Sequence, residues 1–157
     1  MATTRSTELM NEMLIAGDKN GCGPIALALL TDTNLAGSAY GRARAALAAQ
    51  GRHTGKGTPM YMTRRAFRHR GFHLVDVTCD LRDLGAKTVQ SLAWTLKKHD
   101  MMGKYLIRVR GHVCAAMGGI VHDWSSGTKK HLLEVYEVSE IYRGEDFTDQ
   151  ELYNNVE

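Results

Sequence analysis

The sequence predicts an α+β fold, with helices first and an antiparallel sheet after them. Up to residue 99 most segments show apolar residues at helical spacing, or an unbroken apolar run, between glycine and proline stops. From residue 104 onward the segments alternate as strands do and are joined by short turns. Helices and strands segregated along a chain indicate α+β rather than α/β architecture. With 157 residues, 43% hydrophobic and 24% charged, the chain suits one soluble globular domain over 1–157, of which 142–157 is a polar tail.

Each element has its own signal. Thr7–Ile15 places Leu9, Met10, Met13 and Leu14 at helical spacing, and Gly17–Gly21 is a loop by composition. Pro24 suits the first position of the next helix, whose run Ile25–Leu30 is apolar all round and therefore buried. Ser38 is the expected N-cap of a helix reaching Gln50 and stopped by Gly51. Residues 52–57 read as a flexible basic loop. Thr58 is then the expected cap of a helix opening on Pro59 and running to Arg70. Phe72–Thr78 alternates as a strand, and Thr88–His99 carries Val89, Leu92, Ala93 and Leu96 on one helical face. Lys104–Arg110, His112–Met117, Ile120–Trp124 and Leu132–Val138 complete a meander of strands, with Gly118-Gly119 as a hairpin turn.

Composition narrows the function classes. Cys22, Cys79 and Cys114 are odd in number and lack C-x-x-C spacing, which argues for a reducing, cytoplasmic setting rather than a disulfide framework. Glu8, Asn11 and Glu12 interrupt the first fifteen residues, unlike a signal peptide. No apolar run reaches the roughly 18 residues of a membrane helix, so no membrane partner is expected. Neither a metal nor another cofactor is expected, because Cys22, His112 and Cys114 match no zinc spacing and no phosphate-loop order is present.

The net charge of +3 hides an asymmetry. No acidic residue falls between Asp32 and Asp76, where Arg42, Arg44, Arg52, Lys56, Arg64, Arg65, Arg68 and Arg70 lie; from Glu134 onward eight carboxylates face only Arg143. The Arg42–Arg70 block admits an anionic partner. Nucleic acid is the less favoured one, since only Tyr61 and Phe67 could stack there. The competing reading is a set of solvated or internally paired arginines. Oligomeric state has no signature in the sequence.

The chemistry concentrates at Asn20-Gly21-Cys22-Gly23-Pro24. A cysteine at a helix N-terminus faces unpaired amides and the positive dipole end, both of which favour thiolate. Those amides also suit a developing oxyanion. Flanking glycines would let backbone and substrate approach the sulfur. A buried filler thiol is the plain alternative. Of seven histidines, His112 stands out, opening a strand among small apolar residues. If Gly118-Gly119 form the turn, Met117 pairs with Ile120 and Cys114 with Asp123. His112, Cys114 and Asp123 then share one face, and His122 points away.

Asn20–Leu29 (NGCGPIALAL), with Gly111–Trp124 (GHVCAAMGGIVHDW) downstream, resembles the papain-like cysteine peptidase superfamily. The style is similar to bacteriocin-processing (double-glycine) peptidases and to small cysteine-peptidase-like proteins of tailed phages. The resemblance implies a papain-like fold: N-terminal helices, with the nucleophile helix packed on a C-terminal antiparallel β-sheet. It also implies a triad, with Cys22 as nucleophile, His112 as base and Asp123 as orienting group. Members usually carry a glutamine ahead of the cysteine as oxyanion donor. Ile15–Gly21 has none, and Asn20 is the candidate replacement. The implied activity is thiol hydrolysis, as a cysteine peptidase or isopeptidase acting on a protein or peptide, in the host cytoplasm if phage-encoded. Deamidation and transglutamination use the same triad. The rival class is a binding protein with an idle triad that blocks a host factor.

Overall fold

The computed structural model describes residues 3–32, 38–122 and 130–141. In chain order its elements are α1 (Thr4–Ile15), α2 (Cys22–Thr31), α3 (Ala39–Ala48), α4 (Met60–His69), β1 (Phe72–Asp76), α5 (Thr78–Asp83), α6 (Val89–Lys98), β2 (Lys104–Val109), β3 (His112–Met117), β4 (Ile120–His122) and β5 (Glu134–Glu140). The mixed helix-and-sheet class is therefore as expected. The polar tail, Trp124 and Asp123 lie outside the described residues.

The five strands form one antiparallel sheet in the order β1-β5-β2-β3-β4. This corrects the expected meander. β2, β3 and β4 follow as hairpins, but β5 returns to lie beside β2, which is Greek-key order, and β1 adds outside it. Val135, Tyr136 and Val138 bury both faces of β5, which lies inside the sheet with β1 and β2 on its two edges. The β3–β4 turn behaves as read. Gly118 and Gly119 both take positive φ (58° and 77°), the two-residue type I′ requirement, and Met117 pairs with Ile120.

Cross-strand partners share a face, so Lys104, Leu106 and Arg108 lie on the same side as Met117, Ala115 and Val113. α1, α2 and α4 lie on that side, and α3 packs on α2. Lys104 Nζ donates to the Leu30 carbonyl of α2 (3.1 Å), Arg64 of α4 lies over the Tyr136 ring (4.8 Å to its centroid), and Thr3 at the start of α1 bonds His122 Nδ1 (2.7 Å). On the other side Ile107, Cys114, Ala116 and Val135 are fully buried, and α6 and α5, packed on β4 and β5, are the elements left to cover them.

Several boundaries move for identifiable reasons. β1 stops at Asp76 because its carboxylate accepts the Thr78 amide (2.9 Å) and hydroxyl (2.5 Å), which starts α5, an unanticipated helix. β5 runs later than Leu132–Val138, and the Leu132 amide is taken by the Lys87 carbonyl, outside the strands. Thr58 does not cap α4. Pro59 occupies the N-cap, and the Thr58 hydroxyl is buried against Gly23. Ser38 does sit at the N-cap of α3, without a side-chain cap bond. Thr88 caps α6 through a reciprocal box with Ser91. Among the described residues no helix is long and apolar enough to cross a membrane.

Candidate active site

The site is built on α2, and α2 is held by the core. Ile25, Leu27, Leu29 and Leu30 are at most 3% exposed. At about 1.5–3 kcal/mol each, their burial fixes the helix far more firmly than any surface contact could. α2 runs along β3, with Cys22 at His112 and Val113 and the Leu30 carbonyl at Lys104, the cross-strand partner of Met117. The Lys104 ammonium at the helix C-terminus complements the dipole there.

Cys22 is the first residue of α2, Gly21 is the N-cap and Pro24 comes third rather than first. Proline is as harmless there, because no first-turn N–H has a partner inside the helix. This placement has a chemical result. Pro24 has no N–H and the Ile25 amide closes on the Gly21 carbonyl (3.0 Å), so the helix mouth presents the amides of Cys22 and Gly23.

The half-buried Cys22 thiol meets the His112 imidazole and the backbone amides of Val113 and Gly23. Burial raises its pKa, but these hydrogen bonds and the His112 charge outweigh that effect, and the thiol stands below its ordinary value. Two residues 90 positions apart in sequence are thus brought together as the sequence reading expected. The other cysteines behave differently, Cys114 being fully buried in the sheet and Cys79 exposed on α5.

The remaining expected residues fall as follows. Asp123 lies outside the described residues. Its neighbour His122 pairs with Ala115, so alternation sets it off the face of His112, and its ring bonds Thr3. Asn20 is two residues from the sulfur, and its side-chain amide donates to the Gly55 carbonyl (2.7 Å). His53, His69, His99 and His131 are exposed, while His73 Nδ1 accepts from Arg68 (2.8 Å).

Two features were not legible beforehand. The glycines bracketing Cys22 are required by packing. A Cβ on Gly21 would collide with the Tyr40 hydroxyl and come within 2.7 Å of Met13, and one on Gly23 would collide with the Thr58 hydroxyl and lie 2.8 Å from its Cβ. The second feature is Asp18, whose buried carboxylate accepts from Tyr40 (2.5 Å), from both terminal nitrogens of Arg52 (2.9 Å each) and from the Gly55 amide (2.9 Å). Burial works against its charge, but these donors hold it well ionised, with a pKa of about 2. No local pattern announces it, since its cation lies 34 positions away. The loop 52–57 is accordingly held by side-chain bonds rather than left as an unanchored basic segment.

The basic block is largely used inside the fold. Arg42 pairs with Asp32 (3.1 Å), Arg52 with Asp18 (2.9 Å), Arg64 donates to the Leu74 carbonyl (3.3 Å), Arg68 meets His73 and Arg70 donates to Thr31 (2.9 Å). Comparison of the chain with protein-family models, with curated proteins and with solved structures finds no match.

Proposed function

We propose that this protein is a thiol hydrolase of papain-like type, acting on a protein or peptide carbonyl with Cys22 as nucleophile and His112 as general base. The observation that carries the reading is the contact between the Cys22 sulfur, the His112 ring and the amides of Val113 and Gly23 at the mouth of a buried helix. The thiol proton passes to His112 as sulfur attacks the carbonyl carbon. The developing oxyanion takes the Cys22 amide, the helix-mouth donor left when Gly23 serves the sulfur. Collapse to the thioester expels an amine, which takes the proton back from His112, and water then cleaves the thioester by the same relay. Asp123, the residue after His122 in sequence, is the orienting group in this scheme. Asn20, the candidate oxyanion donor, also anchors Gly55 through its side-chain amide.

The test is the pH dependence of alkylation. Cys22 should react faster than the more exposed Cys79 near pH 6, and the excess should disappear in His112→Ala. Slow, equal labelling of both thiols in the folded protein would refute the reading and leave the idle-scaffold alternative.

A further inference from the structure

We propose that Asp18 is the positioning residue of this site: its buried carboxylate ties the Cys22 loop to the loop over residues 52–58 and so fixes where the sulfur stands. The proposal rests on the nucleophile reading of Cys22.

Four donors converge on this one carboxylate, and they come from three places in the chain. Tyr40 belongs to α3, Arg52 to the segment after it, and Gly55 to the loop leading to α4. The Asp18 and Arg52 side chains are 0% and 1% exposed, so their geometry is not averaged by solvent. The same Arg52 also donates to the Asn20 carbonyl (2.9 Å), and the Asn20 amide donates to the Gly55 carbonyl (2.7 Å). The two loops are therefore crossed by bonds in both directions, each ending within four residues of Cys22.

The cluster reaches the cysteine through its flanks. The Tyr40 hydroxyl that bonds Asp18 is the group standing where a Gly21 Cβ would be. Thr58, three residues past Gly55, stands where a Gly23 Cβ would be. Tyr40 and Thr58 press on the backbone at each side of Cys22, and the Asp18 carboxylate bonds the first directly and the loop leading to the second. A buried ion pair is seldom a better source of stability than apolar packing of the same volume, whereas directed bonds to several segments are what it does supply. In this protein two of those segments reach the residues flanking Cys22, α3 through Tyr40 at Gly21 and the loop after Gly55 through Thr58 at Gly23.

The experiment pairs amide exchange with thiol titration in the full chain. Asp18→Asn keeps the shape and removes the charge. Asp18→Asn combined with Arg52→Gln leaves no unpaired buried charge and serves if the single variant does not fold. Exchange at Gly21, Cys22, Gly23 and residues 53–57 should accelerate at least tenfold while β2 and β3 keep parent rates. The alkylation pKa of Cys22 should rise toward that of an ordinary thiol, with Cys79 unmoved. Tyr40→Phe should shift both readouts the same way by less. Faster exchange spread evenly over the chain, or an unmoved Cys22 titration in a variant with a lowered melting temperature, would overturn the proposal. A parent Cys22 that titrates as an ordinary thiol would instead sink the nucleophile reading, and local exchange would still decide whether Asp18 clamps the loops.

Discussion

The Asp18–Arg52 pair makes stability depend on pH in a calculable way. Asp18 has a folded pKa of about 2 against an ordinary 3.8. At 1.36 kcal/mol per unit, the carboxylate contributes about 2.5 kcal/mol of pH-dependent stability. Because the folded value is the lower one, this contribution is whole above about pH 5 and is lost as pH falls through 4 toward 2. Asp76, held below the ordinary value by its bonds from Thr78, shifts stability in the same direction, so the parent's acid profile alone does not isolate Asp18. The difference between parent and Asp18→Asn does. At pH 6 the variant should be less stable by about 3–5 kcal/mol, because Arg52 is left buried without its counterion. That gap should narrow by about 2 kcal/mol between pH 5 and pH 2, as the parent's carboxylate protonates. Urea unfolding followed by circular dichroism across this range measures it. A gap constant with pH would mean that Asp18 does not carry a depressed pKa and that the bonding of its carboxylate has been misjudged.

Three other outcomes are expected. Gly23→Ala should destabilise the fold by about 1–3 kcal/mol through the collision with Thr58, and adding Thr58→Gly should recover most of it in thermal melts. Thr88→Ala should cost about 1 kcal/mol by removing the capping box of α6, read from the urea midpoint. In native protein Cys114 should resist labelling until the sheet unfolds, while Cys79 labels at once, as mass spectrometry of timed quenches will show.

How much of this was legible follows from how local each signal is. α2 and α6 are legible nearly in full because an apolar run and an amphipathic stripe are local and strong. The Gly118-Gly119 turn fixed a register, and that register correctly set His122 off the His112 face. The return of β5 between β2 and β1 is a choice among sheet neighbours that strand patterns leave open. α5 was hidden because its start is a side-chain bond from Asp76, indistinguishable in sequence from the end of an alternating strand. Five arginines of the basic block have partners within the chain, which composition leaves open because charge counting cannot see where a guanidinium points.

The glycines on either side of Cys22 sharpen what the site demands of its surroundings. Sequence reading assigned them to substrate approach, yet the space beside each is filled by the protein's own Tyr40 and Thr58. The difference matters for the chemistry. A glycine left open to substrate lets the backbone adjust as the ligand enters, whereas a glycine packed on a buried side chain holds its peptide plane still. At a helix mouth with only the Cys22 and Gly23 amides to offer, a fixed peptide plane is the more useful property, since donors aimed in advance stabilise developing charge without reorganising. On the hydrolase reading proposed above, the same packing would let the site work without a glutamine ahead of the cysteine. What precedes Cys22 here is a carboxylate bonded to three segments, which on the positioning proposal holds the amides the helix already has instead of adding another donor.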